Sequence, residues 1–166
     1  MKKIISLLLA LCTLAALATG CGSASTKEYN LDDVMKAIEA VAPVTVPADM
    51  NDEFLTSMYG IDMKDVAEYK GKYSNANISS DEILLVKAAS GKADTIKKAC
   101  EDRRKAKADQ CAMYLDDQAK KAENGRIVVK GDYVIFVIAG DSTRIQDGEI
   151  DAVYAEIDKA IDSALA

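Results

Sequence analysis

A hairpin signal in the C-terminal half of the chain constrains its fold most strongly. The segment "RIVVKGDYVIFVIAG", residues 126–140, has two β-rich runs on either side of Lys130-Gly131-Asp132. That composition is typical of a tight turn between antiparallel strands. The second run, Tyr133 to Ala139, is almost wholly apolar, which predicts a strand in the middle of a sheet. The chain is therefore expected to build an antiparallel sheet.

A second pair of strands is predicted upstream. In "VAEYKGKYS", residues 66–74, apolar and charged side chains alternate, as in a half-buried edge strand. "EILLVKAA", Glu82 to Ala89, is apolar enough for a more central strand. Between the two pairs, the charged and Ala-rich segment from Gly91 to about Glu123 predicts one long helix.

Helical spacing and capping residues predict three further helices. They run from Leu31 to about Ala42 behind an Asn30 cap, from Met50 to Tyr59 before Gly60, and from Glu149 to Leu165 behind an Asp147 cap. The fold class is therefore α+β, in the order α-α-β-β-α-β-β-α, as a single domain over residues 30–166. It has an antiparallel sheet of about four strands in two hairpin-like pairs, and we expect helices to cover the sheet mainly on one face.

The N-terminal segment has the pattern of a secretory signal. Lys2 and Lys3 precede an uncharged apolar run of fifteen residues, Ile4 to Ala18, and small residues follow. A membrane-spanning helix is the rival interpretation, but it needs about 20 apolar residues. We predict a signal peptide over residues 1–20.

Cys21 lies where this apolar run gives way to a polar chain. The order Ala18-Thr19-Gly20-Cys21 resembles a bacterial lipobox, although the usual Leu three residues before the Cys is here Leu17, four before it. The resemblance implies cleavage between Gly20 and Cys21 and a diacylglycerol thioether on Cys21. Residues 21–29 would then be the lipidated Cys and a flexible tether. The alternative is an ordinary signal peptide with an incidental Cys.

Composition excludes several classes of chemistry. The chain has no His, which removes Ser-His-Asp catalysis, Cys-His catalysis and typical zinc sites, and no metal or cofactor is predicted. Without Lys2 and Lys3, 19 basic side chains face 27 acidic ones, and this net charge of −8 argues against nucleic-acid binding. The adjacent Asp116 and Asp117 point about 100° apart on a helix, so they are expected to form a solvated helix end.

Cys100 and Cys111 fall in the same predicted helix. Eleven residues of helix separate them by about 16 Å, which is too far for a disulfide. They are expected to be two small, half-buried residues, with intermolecular pairing as the alternative.

Two features of this predicted helix suggest a functional surface. Residues 92–107 hold seven basic and three acidic side chains, which form either a face toward anionic lipid or an ordinary solvated face. Arg104 falls in the apolar sector, where it either extends its charge outward or is buried against a carboxylate.

The segments "MYGID", "SSDEILLVKA" and "RRKAKADQCAMYLDDQAKKAENGRIVVKGDYVIFVIAGD" together resemble the family called domain of unknown function 4358, which comprises small lipoproteins of Firmicutes such as clostridia. The most specific part is the spacing of Arg103 or Arg104, Gln110 and Tyr114, followed by Gly131-Asp132-Tyr133-Val134. The resemblance spans roughly residues 31–141, and it implies an envelope location and a compact α+β domain. It supplies no activity, because the family has none assigned. Arg103, Arg104, Gln110 and Tyr114 are thus candidate pocket or buried polar residues.

These observations predict a lipoprotein anchored through Cys21 on the outer face of the cytoplasmic membrane. We expect a non-catalytic binding or interaction module, with an unknown envelope protein or a small ligand as partner. One alternative is an accessory ligand-binding lipoprotein of a transporter or envelope assembly. Another is a carboxylate-based hydrolase whose acids come from distant segments.

Overall fold

A computed structural model describes residues 27–166 of the chain. The predicted signal peptide, the Gly20–Cys21 cleavage site and residues 21–26 of the predicted tether lie outside these residues.

The described residues form an antiparallel sheet of five strands in the order β1-β2-β3-β5-β4. The strands are β1 (Pro47–Asp49), β2 (Val66–Ser74), β3 (Glu82–Ala88), β4 (Arg126–Lys130) and β5 (Tyr133–Ile138). The α+β class and both hairpins, β2–β3 and β4–β5, are confirmed. The expected count of four is one short, because three residues of β1 are too few to show a period of two. β1 pairs with residues 72–74 of β2, so only the part of β2 before residue 72 is at the edge of the sheet, as predicted for the whole strand.

Six α-helices accompany the sheet in the described part of the chain. They are α1 (Leu31–Glu39), α2 (Asp52–Phe54), α3 (Ala93–Cys111), α4 (Asp116–Glu123), α5 (Ser142–Gln146) and α6 (Ile150–Ala164). A π-helical turn, Leu55–Tyr59, continues α2, and a 3₁₀ turn, Met63–Asp65, precedes β2. None of these helices has the length and apolar character needed to cross a membrane.

Helices cover both faces of the sheet, so the expectation of one covered face is wrong. Odd-numbered side chains of β3 and β5 pack under α1 and α6, and even-numbered ones pack under α3 and the π-helical turn. Every residue of β5 is buried. A strand that is apolar at consecutive positions has two faces to bury, which requires a layer of helices on each side.

The predicted long helix is broken. α3 ends at Cys111, where the Leu115 N–H donates to the Cys111 carbonyl, and Leu115 leaves helical geometry with φ −139° and ψ 78°. α4 then begins with Asp116 and Asp117 in its first turn, where acidic side chains stabilise the positive end of the helix dipole. The two acids therefore lie at a helix end, as expected. That end is the N-terminus of a separate helix, α4, and not part of one long helix.

Two of the three predicted helix-capping residues, Asn30 and Gly60, are confirmed, and the third, Asp147, is not. Asn30 caps α1 by accepting the N–H groups of Asp32 and Asp33, and Gly60 ends the π-helical turn with φ 69°. Asp147 does not cap the last helix, because α6 begins at Ile150 behind Glu149. The short helix α5 stands in between, and Asp141 caps it.

Residues 27–29, assigned to the tether, contact the domain. The Tyr133 hydroxyl donates to Glu28 Oε2 at 2.8 Å, Lys87 Nζ lies 2.5 Å from the same oxygen, and the Tyr29 ring packs edge-on against Tyr133. Since Lys87 and Tyr133 pair across β3 and β5, this contact lies at the C-terminal end of β3.

Candidate functional site

A buried charge cluster surrounds Glu82, the first residue of β3. Arg103 holds this carboxylate with two hydrogen bonds, one from Nε to Oε2 at 2.9 Å and one from the outer guanidinium nitrogen to Oε1. The Tyr59 hydroxyl also donates to Oε2 at 2.9 Å, and Lys107 Nζ lies 3.1 Å from Oε1. The Glu82 side chain is only 1% exposed, so the pairing replaces its lost hydration.

The spacing on α3 explains how one carboxylate meets two cations. Arg103 and Lys107 are four residues apart, so both project from the helix face that packs on β3. Glu82 has the same parity on β3 as Leu84, whose side chain faces α3. The acid therefore lies directly beneath the two bases.

The cluster changes the ionisation of its other members. Burial opposes the charged form of Arg103, but hydrogen bonds to Glu82 and the charge of Glu82 outweigh burial and raise the Arg103 pKa. Burial, and next the Glu82 charge, raise the pKa of Tyr59 well above its usual value. Arg103 is thus a permanent cation and Tyr59 a permanent hydrogen-bond donor at neutral pH.

A second buried pair occupies the other side of the sheet. Lys121 Nζ of α4 lies 2.7 Å from Asp81 Oδ1, and both side chains are 1% exposed. Asp81 also accepts the Thr45 N–H at 3.0 Å, and Lys121 Nζ bonds the Ser142 hydroxyl oxygen at 2.9 Å. Here one anion meets one cation, and both are closed off from solvent.

A groove of about 520 Å³ opens beside the Glu82 cluster. One wall is the β2–β3 connection, and the other is the segment that separates α3 from α4. Three large apolar side chains stand exposed around it: Ile78 at 73%, Met113 at 65% and Tyr114 at 86%. The lining residues are Ser74, Asn75, Ala76, Asn77, Ile78, Ser79, Lys107, Gln110, Cys111, Met113, Tyr114 and Leu115.

A strained segment supports the β2–β3 wall of this groove. Val46 has φ 47°, a conformation that is unfavourable for a β-branched residue. Its carbonyl accepts the Asn75 N–H at 3.0 Å, and the neighbouring Thr45 is bound to Asp81. The wall is therefore tied to the buried Asp81 pair, which holds Val46 in its unfavourable geometry.

The four candidates from the sequence separate into three environments. Arg103 belongs to the buried cluster, whereas Gln110 and Tyr114 line the groove. Arg104 lies apart from both, because its guanidinium donates to the Gly125 carbonyl oxygen at 2.9 Å. Its partner is thus a backbone carbonyl and not the carboxylate that one alternative required.

Sequence reasoning missed the partners of these residues. Glu82, Lys107 and Tyr59 complete the cluster, and Ile78 and Met113 complete the groove. Two signals were available. An acidic pair stands at the start of an apolar strand, and two bases stand at positions i and i+4 on the sheet-facing side of a helix.

The basic stretch over residues 92–107 is extensively paired. Three of its lysines form ion pairs with Asp or Glu four residues along α3, and the others bond to Asp65, Glu82 or the Gly125 carbonyl. These contacts favour an ordinary helix face over a surface kept free for anionic lipid.

Cys100 and Cys111 are both free, as predicted, but they are buried rather than half-buried. Burial, followed by the charges of Glu101 and Glu82, raises the pKa of Cys100 to about 12. Burial also raises the pKa of Cys111. Both are therefore thiols at neutral pH, a form that is a poor nucleophile and a poor metal ligand. Within residues 27–166, no cluster of three acidic or cysteine side chains is arranged to hold a metal ion.

Comparison with known proteins identifies the domain. A family model described as "Domain of unknown function (DUF4358)" matches residues 43–139, which is more than half of the chain. The matched region contains all five strands, the Glu82 cluster and the groove, and it leaves out α1, α5 and α6. No curated protein and no solved structure matches the chain. On the strength of the family match, the chain belongs to the DUF4358 family.

Proposed function

We propose that this chain is an exported lipoprotein of a Firmicutes bacterium and that its domain is a non-catalytic binding module on the outer face of the cytoplasmic membrane. The proposed anchor is a diacylglycerol on Cys21, supported by the order Ala18-Thr19-Gly20-Cys21 after an uncharged apolar run. The observation that carries the binding role is the groove bordered by Ile78, Met113 and Tyr114.

The groove has the properties of a ligand site. Its volume lies in the range of about 300–1,000 Å³ that is typical of small-molecule sites. Its three exposed apolar side chains form a local group, and such groups on a small domain mark interaction sites more often than scattered exposed residues do. Burying them against a ligand would contribute roughly 25 cal/mol per Å² of apolar surface.

The cluster beneath the groove favours binding over hydrolysis. A carboxylate-based hydrolase needs one acid and one base that face the same substrate. Asp81 and Glu82 point to opposite faces of the sheet, and each is committed to cationic partners. Such charge pairs hold structure in place, and here one of their members, Lys107, also lines the groove.

The position of the groove fits an anchored protein. The contacts of residues 27–29 lie at the C-terminal end of β3, whereas the groove lies at its N-terminal end. Seven strand residues separate the two ends by about 20 Å. A lipid attached to Cys21, a few residues before Lys27, would leave the groove facing away from the membrane.

Replacing the lipidated residue tests the anchor. In Cys21→Ser, we expect unprocessed precursor or released soluble protein, because the thioether cannot form. Membrane fractionation and the intact mass measure this, and Cys100→Ser is a control that retains Cys21. If Cys21→Ser is found in the same membrane fraction as wild type and its mass shows the same cleavage and acylation, Cys21 is not the lipid-anchor site.

Photocrosslinking tests the groove in the native envelope. Benzoylphenylalanine in place of Tyr114 should form adducts detectable by mass spectrometry, because this side chain projects at the groove rim. The same probe in place of Val129, an exposed residue of β4, is the matched control. Equal adducts at both positions, or none at position 114, would contradict a binding role for the groove.

A further inference from the structure

We propose that the groove binds a small organic anion, with Lys107 pairing with the negative group and Tyr114, Met113 and Ile78 contacting an apolar body. The inference rests on the proposed role of the groove as the binding site. It adds the chemical class of the ligand.

The charge cluster beside the groove has a surplus of positive charge. Arg103 binds both oxygens of Glu82, and the Tyr59 hydroxyl adds a third hydrogen bond. Lys107 is the second cation beside one carboxylate, so the cluster of Glu82, Arg103 and Lys107 carries a net charge of +1. A surplus charge in a partly desolvated site attracts an anion more strongly than a charge in water.

The surplus charge lies at the surface of the groove. The Lys107 side chain is 16% exposed and lines the groove, whereas Arg103 does not line it. An ammonium group carries three donors, and the one ion-pair partner of Lys107 among the described residues is the Glu82 oxygen at 3.1 Å. The remaining donors of Lys107 are available to a carboxylate or another anionic group in the groove.

The charge of the groove lining is complementary to that of an anion. Among the described residues that line the groove, Lys107 is the only charged one. This absence of carboxylates contrasts with the acidic character of the chain, which carries a net charge of −6. An anion in the groove therefore meets one positive charge and no lining acid.

The rest of the lining specifies the remainder of the ligand. Tyr114, Met113 and Ile78 offer an apolar surface at the rim, and an aromatic ring adds stacking to apolar contact. Asn75, Asn77 and Gln110 supply amide groups that can orient a polar substituent. A groove of about 520 Å³ with these contacts fits an amphiphilic acid of moderate size.

A matched pair of probes tests the inference on the full-length protein. Indole-3-acetate and indole-3-acetamide share an aromatic body and differ in the negative charge. The chain contains seven Tyr but no Trp, so the fluorescence anisotropy of the indole, excited at wavelengths longer than the tyrosine absorption band, reports its binding. We expect indole-3-acetate to bind about tenfold more tightly than indole-3-acetamide, as a charge-assisted hydrogen bond provides.

Variants separate the two parts of the site. Lys107→Met should weaken indole-3-acetate about tenfold and leave indole-3-acetamide within about twofold, and Lys107→Arg should keep most of the preference. Lys105→Met, on the exposed side of α3, should change neither affinity. Tyr114→Ala should weaken both probes by a similar factor of about five to ten.

The outcomes distinguish the ligand class from the groove itself. Equal affinity for both probes, with both lost in Tyr114→Ala, would overturn anion recognition and leave the groove as a binding site. A preference for indole-3-acetate that survives in Lys107→Met would also overturn the role of Lys107. Binding that Tyr114→Ala does not weaken, or no binding of either probe at millimolar concentration, would overturn the ligand class proposed for this groove. The photocrosslinking experiment separately decides whether the groove is a binding site at all.

Discussion

Asp81 and Glu82 are neighbours in the chain, yet they sit in two different kinds of buried charge site. Asp81 meets one cation, Lys121, and neither side chain reaches solvent. Glu82 meets two, Arg103 and Lys107, and the second of these borders a groove. The Asp81 pair is closed to solvent and has no net charge. The Glu82 cluster borders the groove and has a net charge of +1.

The alternation of side chains along an extended strand creates this difference. Consecutive residues point to opposite faces, so the two acids meet different helices. α4 presents one base to Asp81, and α3 presents two bases to Glu82 from consecutive turns. We infer that the Asp81 pair stabilises the fold, whereas the charge of Lys107 is available for the proposed binding role.

The largest effect is expected at the closed pair. Lys121→Met should lower the free energy of unfolding by about 3–5 kcal/mol, because it leaves the Asp81 carboxylate buried without its charge partner. Denaturant unfolding monitored by circular dichroism measures the loss.

Lys120→Met is the matched control for this substitution. Lys120 is adjacent in α4, but it is exposed and pairs with Asp116 on the helix surface, so its loss should cost far less than the loss of Lys121. The double variant Asp81→Asn with Lys121→Met should recover part of the stability, since no buried charge is left unpaired. Similar losses for Lys120→Met and Lys121→Met would show that the closed pair does not stabilise the fold.

A smaller effect is expected when the open cluster loses its main cation. Arg103→Met should cost about 2 kcal/mol, below the range for an isolated buried pair, because Lys107 and Tyr59 still contact Glu82. Adding Lys107→Met should cost more than the sum of the two single variants, since only the double variant leaves Glu82 without any cation. Strict additivity in this double-mutant cycle would contradict the sharing of Glu82 by two bases.

Tyr59→Phe tests the third contact of the open cluster through its pH dependence. At pH 7 we expect a loss of about 1.5 kcal/mol from the missing hydrogen bond to Glu82. The unfolded tyrosine ionises near pH 10, while the folded one stays protonated because its pKa is raised well above that value. The folded state then binds more protons than the unfolded state, so this contribution is fully present below pH 10 and is lost as the pH rises further.

The phenylalanine variant lacks this ionisation. The stability difference between wild type and Tyr59→Phe should therefore narrow by about 1 kcal/mol between pH 10 and pH 11. Denaturant unfolding at pH 7, 9, 10 and 11 measures the gap. A constant gap across this range would show that the hydroxyl is not held in its protonated form by the fold.

Much of the sheet was predictable because its signals are local. The turn at Lys130-Gly131-Asp132 and the apolar run of β5 lie within about ten residues, and so do the Asn30 cap and the Gly60 helix end. A pattern of that length reports the backbone state directly. The apolar run of β5 also indicates that both faces of the sheet are covered, because consecutive residues of a strand point to opposite faces.

The site was less predictable because it depends on contacts between distant segments. The break at residues 112–115 lies in a sequence of helix-forming residues, and only the two acids that follow it mark a new helix start. Nothing in the sequence around Lys121 separates it from the exposed Lys120 next to it, because its burial follows from Asp81, forty residues away. The groove likewise exists only where the β2–β3 connection meets that break.

The smallest loss of stability is expected for a substitution of Lys107. Its size relative to the loss at Lys121 tests whether Lys107, unlike Lys121, is dispensable for folding. Lys107→Met removes a charge beside Glu82, but Arg103 and Tyr59 still satisfy both carboxylate oxygens, so the loss should stay below about 1 kcal/mol. Lys121→Met is the same substitution at the closed pair, and its cost should be several times larger. Denaturant unfolding of the two variants under identical conditions gives this ratio. If Lys107→Met is as costly as Lys121→Met, Lys107 is a structural cation, and the spare charge that anion binding requires does not exist.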